Sequence, residues 1–291
     1  MRSARFQVGN SSNGHRSGSL ATAGVINLYG YSKTTRSTEQ FRVTLGSYAP
    51  STTLDRHDHE QASICLALSG GYDESLGRRE RRVDTGMLVV HPEGEAHADR
   101  HDPRTTTLLT IEFSSVSLDL ARHISPVFDE SWDRTAPFLL PSAYRLLHDI
   151  DDACALSDLL IEDLIWSMIA DAIGYDQPDA CRPAWLLCIR DCLEARAGSA
   201  PPLAELSEMA GVHPIHLARA FRQAFGCSIG VFVRRRQVAS ALSLLADSPL
   251  DLAEVSLISG FADQSHMTRR VREMTGRPPG AWRKWLTAET P

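Results

Sequence analysis

Two groups of residues in this 291-residue chain have the types and spacing to do chemistry. The first is C-terminal. In PIHLARAFRQAFG, Leu217 and Phe221 stand one helical turn apart, and Arg219 and Arg222 project from another side of the same predicted helix. In ADQSHMTRRVREMTG, Met267 and Val271 take the inward places and leave Gln264, Ser265, Thr268, Arg269 and Arg272 outward. Arginine can pair bidentately with guanine and glutamine with adenine, while serine and threonine hydroxyls bond either base or phosphate. The second group is N-terminal. His57 and His59 alternate, so they share one face of a predicted strand. Imidazoles there can hold a divalent ion, line a pocket, or serve only the packing around them.

The elements that must position the first group are short helices stopped by glycine. PPLAELSEMAG opens on proline and closes on Gly211, and Pro214 starts the next helix, which closes on Gly226. PLDLAEVSLISGF and ADQSHMTRRVREMTG repeat the arrangement around Gly260 and Gly276, with the two turn glycines 49 residues apart. A helix, a glycine turn and a second helix with basic outward residues is helix-turn-helix architecture. Between the copies, SIGVFVRRRQVASALSLLADS predicts a helix of about 18 residues, roughly 27 Å long. Neighbouring major-groove faces lie about 34 Å apart, so the copies could reach adjacent grooves. Arg234, Arg235 and Arg236 on that helix are expected to meet phosphate or a structural acid.

The second group sits in a region of short strands. From Val25 to Phe113, apolar runs such as ASICLALSG and GMLVVHP alternate with Gly, Pro and Asp turns, which predicts a sandwich or barrel. From Leu118 the period becomes helical, with Leu160, Ile161, Leu164, Ile165, Met168, Ile169 and Ala172 on one stripe ended by Gly174. YDQPDACRP reads as a linker. The expected organisation is a tail over 1–24, a β domain over 25–115, a helical bridge over 116–180 and a helical end over 181–291.

The net charge of −6 divides unevenly along that plan. Residues 1–115 carry 13 basic and 13 acidic side chains, residues 116–180 carry 3 and 13, and residues 181–291 carry 14 and 10. A polyanion would therefore be met by the C-terminal part, with the acidic bridge held away from it. The Ser-, Gly- and Asn-rich tail lacks the apolar core of a secretory signal and is expected to be flexible. No apolar run approaches the roughly 20 residues that span a bilayer. A cytoplasmic protein without membrane contact follows. Cys65, Cys154, Cys181, Cys188, Cys192 and Cys227 show no tight CxxC pair, so reduced and mostly buried thiols are expected. There is no Walker-type loop and no GxSxG elbow. Asp151-Asp152 and Asp55/Asp58 read as solvated turns, so no catalytic constellation stands out and an enzyme is not expected.

The residues from about Trp185 to Trp285 resemble the AraC/XylS family of bacterial transcription regulators. LAELSEMAGVHPIHLARAFRQAFG and GFADQSHMTRRVREMTGRPPGAWR carry the match. The chain departs from the family at Ser207 and Ser256, where alanine is usual, at His213, where a serine cap is usual, and at Met267 and Val271, where aromatic residues are usual. The resemblance implies a sequence-specific DNA-binding regulator acting on double-stranded promoter DNA, a homodimer, and contact with RNA polymerase if it activates. It also implies that Ile215, Ala218 and Arg219 face the groove from the first unit, and Gln264, Ser265, Thr268 and Arg269 from the second. Arg222 and Arg272 would meet phosphate or a structural acid.

RHDHE and GMLVVHPEGEAHADRH resemble the two motifs of the cupin barrel, adding His97 to His57 and His59. The implied fold is α+β: an N-terminal cupin-like barrel, a helical bridge and an all-α end with two helix-turn-helix units. Where metal-bearing cupins place a glutamate, this chain has Ser63 and Ile64, and His101 stands in place of asparagine. Three readings of His57, His59 and His97 stay open: ligands to a divalent metal, the lining of a small-molecule effector pocket, or structural histidines. The regulator reading competes with a metal-dependent cupin enzyme carrying a DNA-binding appendage, and with a module that recruits proteins.

Overall fold

The computed structural model describes residues 26–27, 30–151, 157–174 and 182–287. The expected tail over 1–24, most of the expected linker with Cys181, and Cys154 of the expected bridge lie outside the described residues. Among the described residues the N-terminal half holds eleven strands: β1 (Ile26–Asn27), β2 (Gly30–Ser37), β3 (Phe41–Tyr48), β4 (Thr53–His57), β5 (Ser63–Ser69), β6 (Gly71–Leu76), β7 (Arg79–Asp84), β8 (Met87–His91), β9 (His97–His101), β10 (Thr106–Phe113) and β11 (Trp132–Thr135). They pair antiparallel in two sheets, β1-β2-β3-β10-β5-β8-β11 and β4-β9-β6-β7. This corrects the expected barrel. The sheets face each other, but no strand pairing joins them among the described residues, so the barrel is not closed.

The continuous apolar runs have a physical reason. The large sheet is covered on both faces, so its central strand β5 buries every residue. Even-numbered residues of β5 (Ile64, Leu66, Leu68) join one core with Leu88 and Val90 of β8 and the odd-numbered Leu109 and Ile111 of β10. That core continues into the helices. Cys65 and Ala67, with Val89 and Leu108, face inward and meet Tyr72 and Val83 of the small sheet. The result is three layers: small sheet, large sheet, helices.

The helices are α1 (Ser115–Ile124), α2 (Leu140–Asp151), α3 (Asp158–Gly174), α4 (Ala184–Ala195), α5 (Leu203–Ala210), α6 (Pro214–Phe225), α7 (Ile229–Asp247), α8 (Leu252–Ile258), α9 (Gln264–Thr275) and α10 (Pro279–Thr287). The acidic stretch is not wholly helical. Its β11 returns to the edge of the large sheet, pairing Trp132 with Val90 and Thr135 with Met87. No helix among the described residues is long and apolar enough to cross a membrane. The cysteines correct another expectation: Cys65 is buried, Cys192 and Cys227 are partly exposed, and Cys188 is exposed.

The two helix-turn-helix units are α5–α6 and α8–α9, and α7 joins them. Gly211 (φ 64°) and Gly260 (φ 78°) make their turns in the left-handed region. A Cβ on Gly260 would also lie 2.2 Å from the Gly198 carbonyl oxygen, so glycine is required there twice over. Ser207 and Ser256 are buried, and their hydroxyls donate to the carbonyls of Ala204 (2.8 Å) and Ala253 (2.7 Å). A serine in place of alanine thus leaves no unsatisfied group. Where a serine cap is usual, the His213 ring accepts from the Ile215 amide at 3.3 Å.

The units belong to different cores. Leu206, Leu217 and Phe221 of the first pack with Leu186, Ile189 and Leu193 of α4 and with Phe232 near the start of α7. Val255, Met267 and Val271 of the second join Leu242 and Leu245 near the end of α7, the bridge helices and the large sheet in one core. Trp282 of α10 is fully buried, donates to the Thr275 hydroxyl at 2.7 Å and meets Tyr144 of α2 edge-on at 4.8 Å. Arg277 pairs with Asp151 and donates to His148 at 3.3 Å. A Cβ on Gly276 would lie 1.8 Å from the His148 ring. At the end of α7, the Gly70 amide donates to Asp247 at 3.0 Å.

Candidate nucleic-acid interface and inter-sheet cavity

Helical period sorts the residues of α6 and α9 into two faces. Leu217, Phe221, Met267 and Val271 have no exposure and hold each helix on its own unit. Ile215, Ala218, Arg219 and Arg222 are exposed together on α6, Ile215 to 66% at its start. On α9, Gln264, Ser265, Thr268, Arg269 and Arg272 line one concave surface with Glu273 and Gly276. The structure therefore brings each predicted set together on the outward side of its helix. None of Arg219, Arg222, Arg269 and Arg272 forms an ion pair among the described residues, unlike Arg270, which pairs with Glu273 at 2.9 Å. The Arg234–Arg236 run divides. Arg235 pairs with Asp171 (3.7 Å), and Arg236 pairs with Glu194 and lies over the Phe232 ring, so these two serve the packing of α7.

The histidines lie at a cavity of about 280 Å³ between the sheets. Antiparallel pairing sets His57 of β4 opposite His97 of β9, and His59 follows β4 directly. One ligand atom from each of His57, His59 and His97 falls within 4.8 Å of the others. His57 Nδ1 lies 2.8 Å from the Asp55 carbonyl and His97 Nδ1 3.1 Å from that of Glu95. A ring nitrogen facing a carbonyl carries the proton, which assigns the lone pair to Nε2. Burial, reinforced by neighbouring imidazoles, lowers His59 and His97 to about 4. Both rings are neutral at neutral pH, the state in which imidazole binds a metal.

Sequence reasoning missed the charged layer behind them. Glu74 is fully buried on β6, opposite Arg81 across the β6–β7 hairpin. Arg81 donates to Glu74 Oε2 and also lies 3.1 Å from His91 Nε2, which is 2.7 Å from Glu74 Oε1. Burial would raise the Glu74 carboxyl, but the bonds from His91 and Arg81 prevail and hold it at about 2. Asp99 goes the other way: burial and then the Glu74 charge push it up to about 8. His101 stacks on Tyr48 at 4.2 Å and is lowered to about 4 by burial. The charged pair Glu74–Arg81 could have been suspected from the hairpin ESLGRRER, in which the two residues flank the Gly77 turn.

Comparison with known proteins fits this architecture. A helix-turn-helix domain model matches residues 206–284. The transcriptional activator RhaR of Salmonella dublin is 33% identical over 265 residues, covering 84% of this chain and 92% of that protein. The chain belongs to the AraC/XylS family of transcriptional regulators. RhaR of Klebsiella pneumoniae is 22% identical over 257 residues, covering 83% of this regulator and 92% of its own length. The multiple antibiotic resistance protein MarA of Salmonella typhimurium is 28% identical over 95 residues, 33% of this regulator and 75% of MarA. The family consists of DNA-binding regulators rather than enzymes, and the paired units of this regulator bind double-stranded DNA.

Proposed function

We propose that this regulator reads promoter DNA through the outward faces of α6 and α9, and adjusts that binding to a small effector held between its two sheets. The observation that carries the first part is the concave surface of α9, where Gln264, Ser265, Thr268 and Arg269 converge with Arg272 at its edge. Arg219 and Arg269 are assigned to base edges, Arg222 and Arg272 to phosphate, and Ile215 and Ala218 to apolar contact with thymine methyl groups. The effector part rests on the cavity, which His57, His59 and His97 line. The proposed division of labour gives residues 25–115 to sensing, 116–180 to bridging and 181–291 to DNA. A homodimer is supported by α1, where Val116, Leu120 and Ile124 form an exposed apolar stripe at four-residue spacing.

The test is selection of a preferred DNA site by the full chain, followed by binding of that site at fixed salt. Arg219→Ala and Arg269→Ala should each weaken it by about 1–3 kcal/mol. Affinity should also fall steeply as salt rises. Unchanged affinity in both variants would remove the assignment of the groove-facing residues.

A further inference from the structure

We infer that a cavity between the bridge and the first helix-turn-helix unit is a second small-molecule site, fitted to a monoanion that joins one carboxylate to a flat apolar body. It shares no lining residue with the inter-sheet cavity and does not rest on the reading of that cavity as an effector site. Its volume is about 350 Å³, within the range of small-molecule sites, about 300–1,000 Å³. One wall is the turn Pro137–Leu139 with the end of α3, and the other is the last turn of α6 with the first turns of α7. These walls belong to different cores. Phe138 packs on the main core, and Phe225 and Phe232 on that of the first unit. A molecule held here would touch both.

The lining sets the charge of the occupant. Arg182, Arg235 and Arg236 line the cavity with Asp171, and Arg236 is paired with Glu194. Three cations against two carboxylates leave one positive charge, which a monoanion neutralises. A phosphate monoester, with a charge of about −1.5 to −2 at neutral pH, would overshoot. The Arg236 guanidinium already spans the seam, 5.7 Å from the Phe138 ring and 5.6 Å from that of Phe232, and Arg182 lies over the Phe225 ring at 5.2 Å. Flat apolar groups stack on guanidinium planes as well as on rings. Arg235 is the anchor for the carboxylate. Its side chain is 46% exposed and 3.7 Å from Asp171, well beyond the about 2.7–2.9 Å of a charge-assisted hydrogen bond. Burial outweighs Arg235 at Asp171 and raises its carboxyl, which marks a weakly held counter-ion. A ligand carboxylate would take the fork of Arg235 in place of Asp171.

The experiment titrates the full chain with 2-naphthoate by calorimetry, with 2-naphthamide as its neutral counterpart. Saturable binding of naphthoate is expected, with the amide bound about tenfold or more weakly. Arg235→Gln should weaken naphthoate by a similar factor. Asp171→Asn should tighten it about two- to fivefold, because it removes the competing carboxylate. That opposite sign separates ligand binding from loss of the ion pair, which both variants share. Cys227 lines the cavity and is partly exposed, so saturating naphthoate should slow its alkylation while the exposed Cys188 reacts as before. Because the ligand fastens the first unit to the bridge, α6 amides should exchange hydrogen more slowly with it bound. Unchanged exchange removes the fastening. No saturable binding, equal binding of the amide, or weaker binding by Asp171→Asn overturns the site. Naphthoate binding that survives Arg235→Gln and leaves Cys227 unprotected puts the ligand elsewhere, the inter-sheet cavity included, and overturns it as well.

Discussion

The two helix-turn-helix units are built alike and held differently. Both use a left-handed glycine turn, a short first helix that buries one adjacent pair (Leu206 and Ser207, Val255 and Ser256) and an outward basic helix, and both back-bond the buried serine. The first unit closes its own core around Leu217 and Phe221. The second has no core of its own: Met267 and Val271 belong to the same apolar mass as the bridge helices and the large sheet. Helix α7 is shared, with Phe232 in the first core and Leu242 and Leu245 in the second. A motif can thus keep one local geometry in two tertiary settings. In this regulator α9 is the helix whose packing is continuous with the large sheet.

The comparison can be broken most forcefully at Trp282. Trp282→Ala removes the largest fully buried side chain and the ring meeting Tyr144, so it should cost about 3–5 kcal/mol and lower the main thermal transition. Phe221→Ala should cost a similar amount, but as an early, separate loss of the first unit, leaving the main transition near its original temperature; calorimetry distinguishes the two. A merged, equal shift in both variants would mean one core, not two. Gly276→Ala drives a Cβ into the His148 ring and should destabilise by about 1–3 kcal/mol, seen by denaturant titration. Its double mutant with His148→Ala should recover only the steric part of that loss, because alanine stays strained at the φ of 82° that Gly276 adopts. Asp151→Asn is the smallest change. Its carboxylate is 47% exposed, so loss of the pair with Arg277 should cost about 1 kcal/mol or less and vanish at high salt.

What the sequence revealed followed from periodicity. The inward and outward residues of α6 and α9 are separated by helical spacing alone, so the outward places of Arg219, Gln264 and Arg269 follow from the sequence. The strand-rich first half was equally legible, since β5 and β8 are unbroken apolar runs. Closure of the barrel was not, because it depends on which strands pair across a gap and no local pattern encodes that. Strand β11 was missed because WDRT is four residues without alternation in a helical stretch, and it becomes a strand only by pairing with β8. Glu74 and His91 were missed for the same kind of reason. Their meeting with His97 brings β6 against β8 and β9, from which β7 separates it in sequence. Arg235 and Arg236 show the limit of charge patterning: a basic run leaves phosphate and a structural acid both open, and only the fold supplies the acids Asp171 and Glu194.

The inequality of the two units is tested most directly by native-state hydrogen exchange of the DNA-free protein. Amides of α9 and α10 should share the protection of β5 and β10, opening only with the whole β half, while those of α5 and α6 exchange through a separate, lower-energy opening. Equal protection of α6 and α9, or an α9 that opens independently of β5 and β10, would contradict the account.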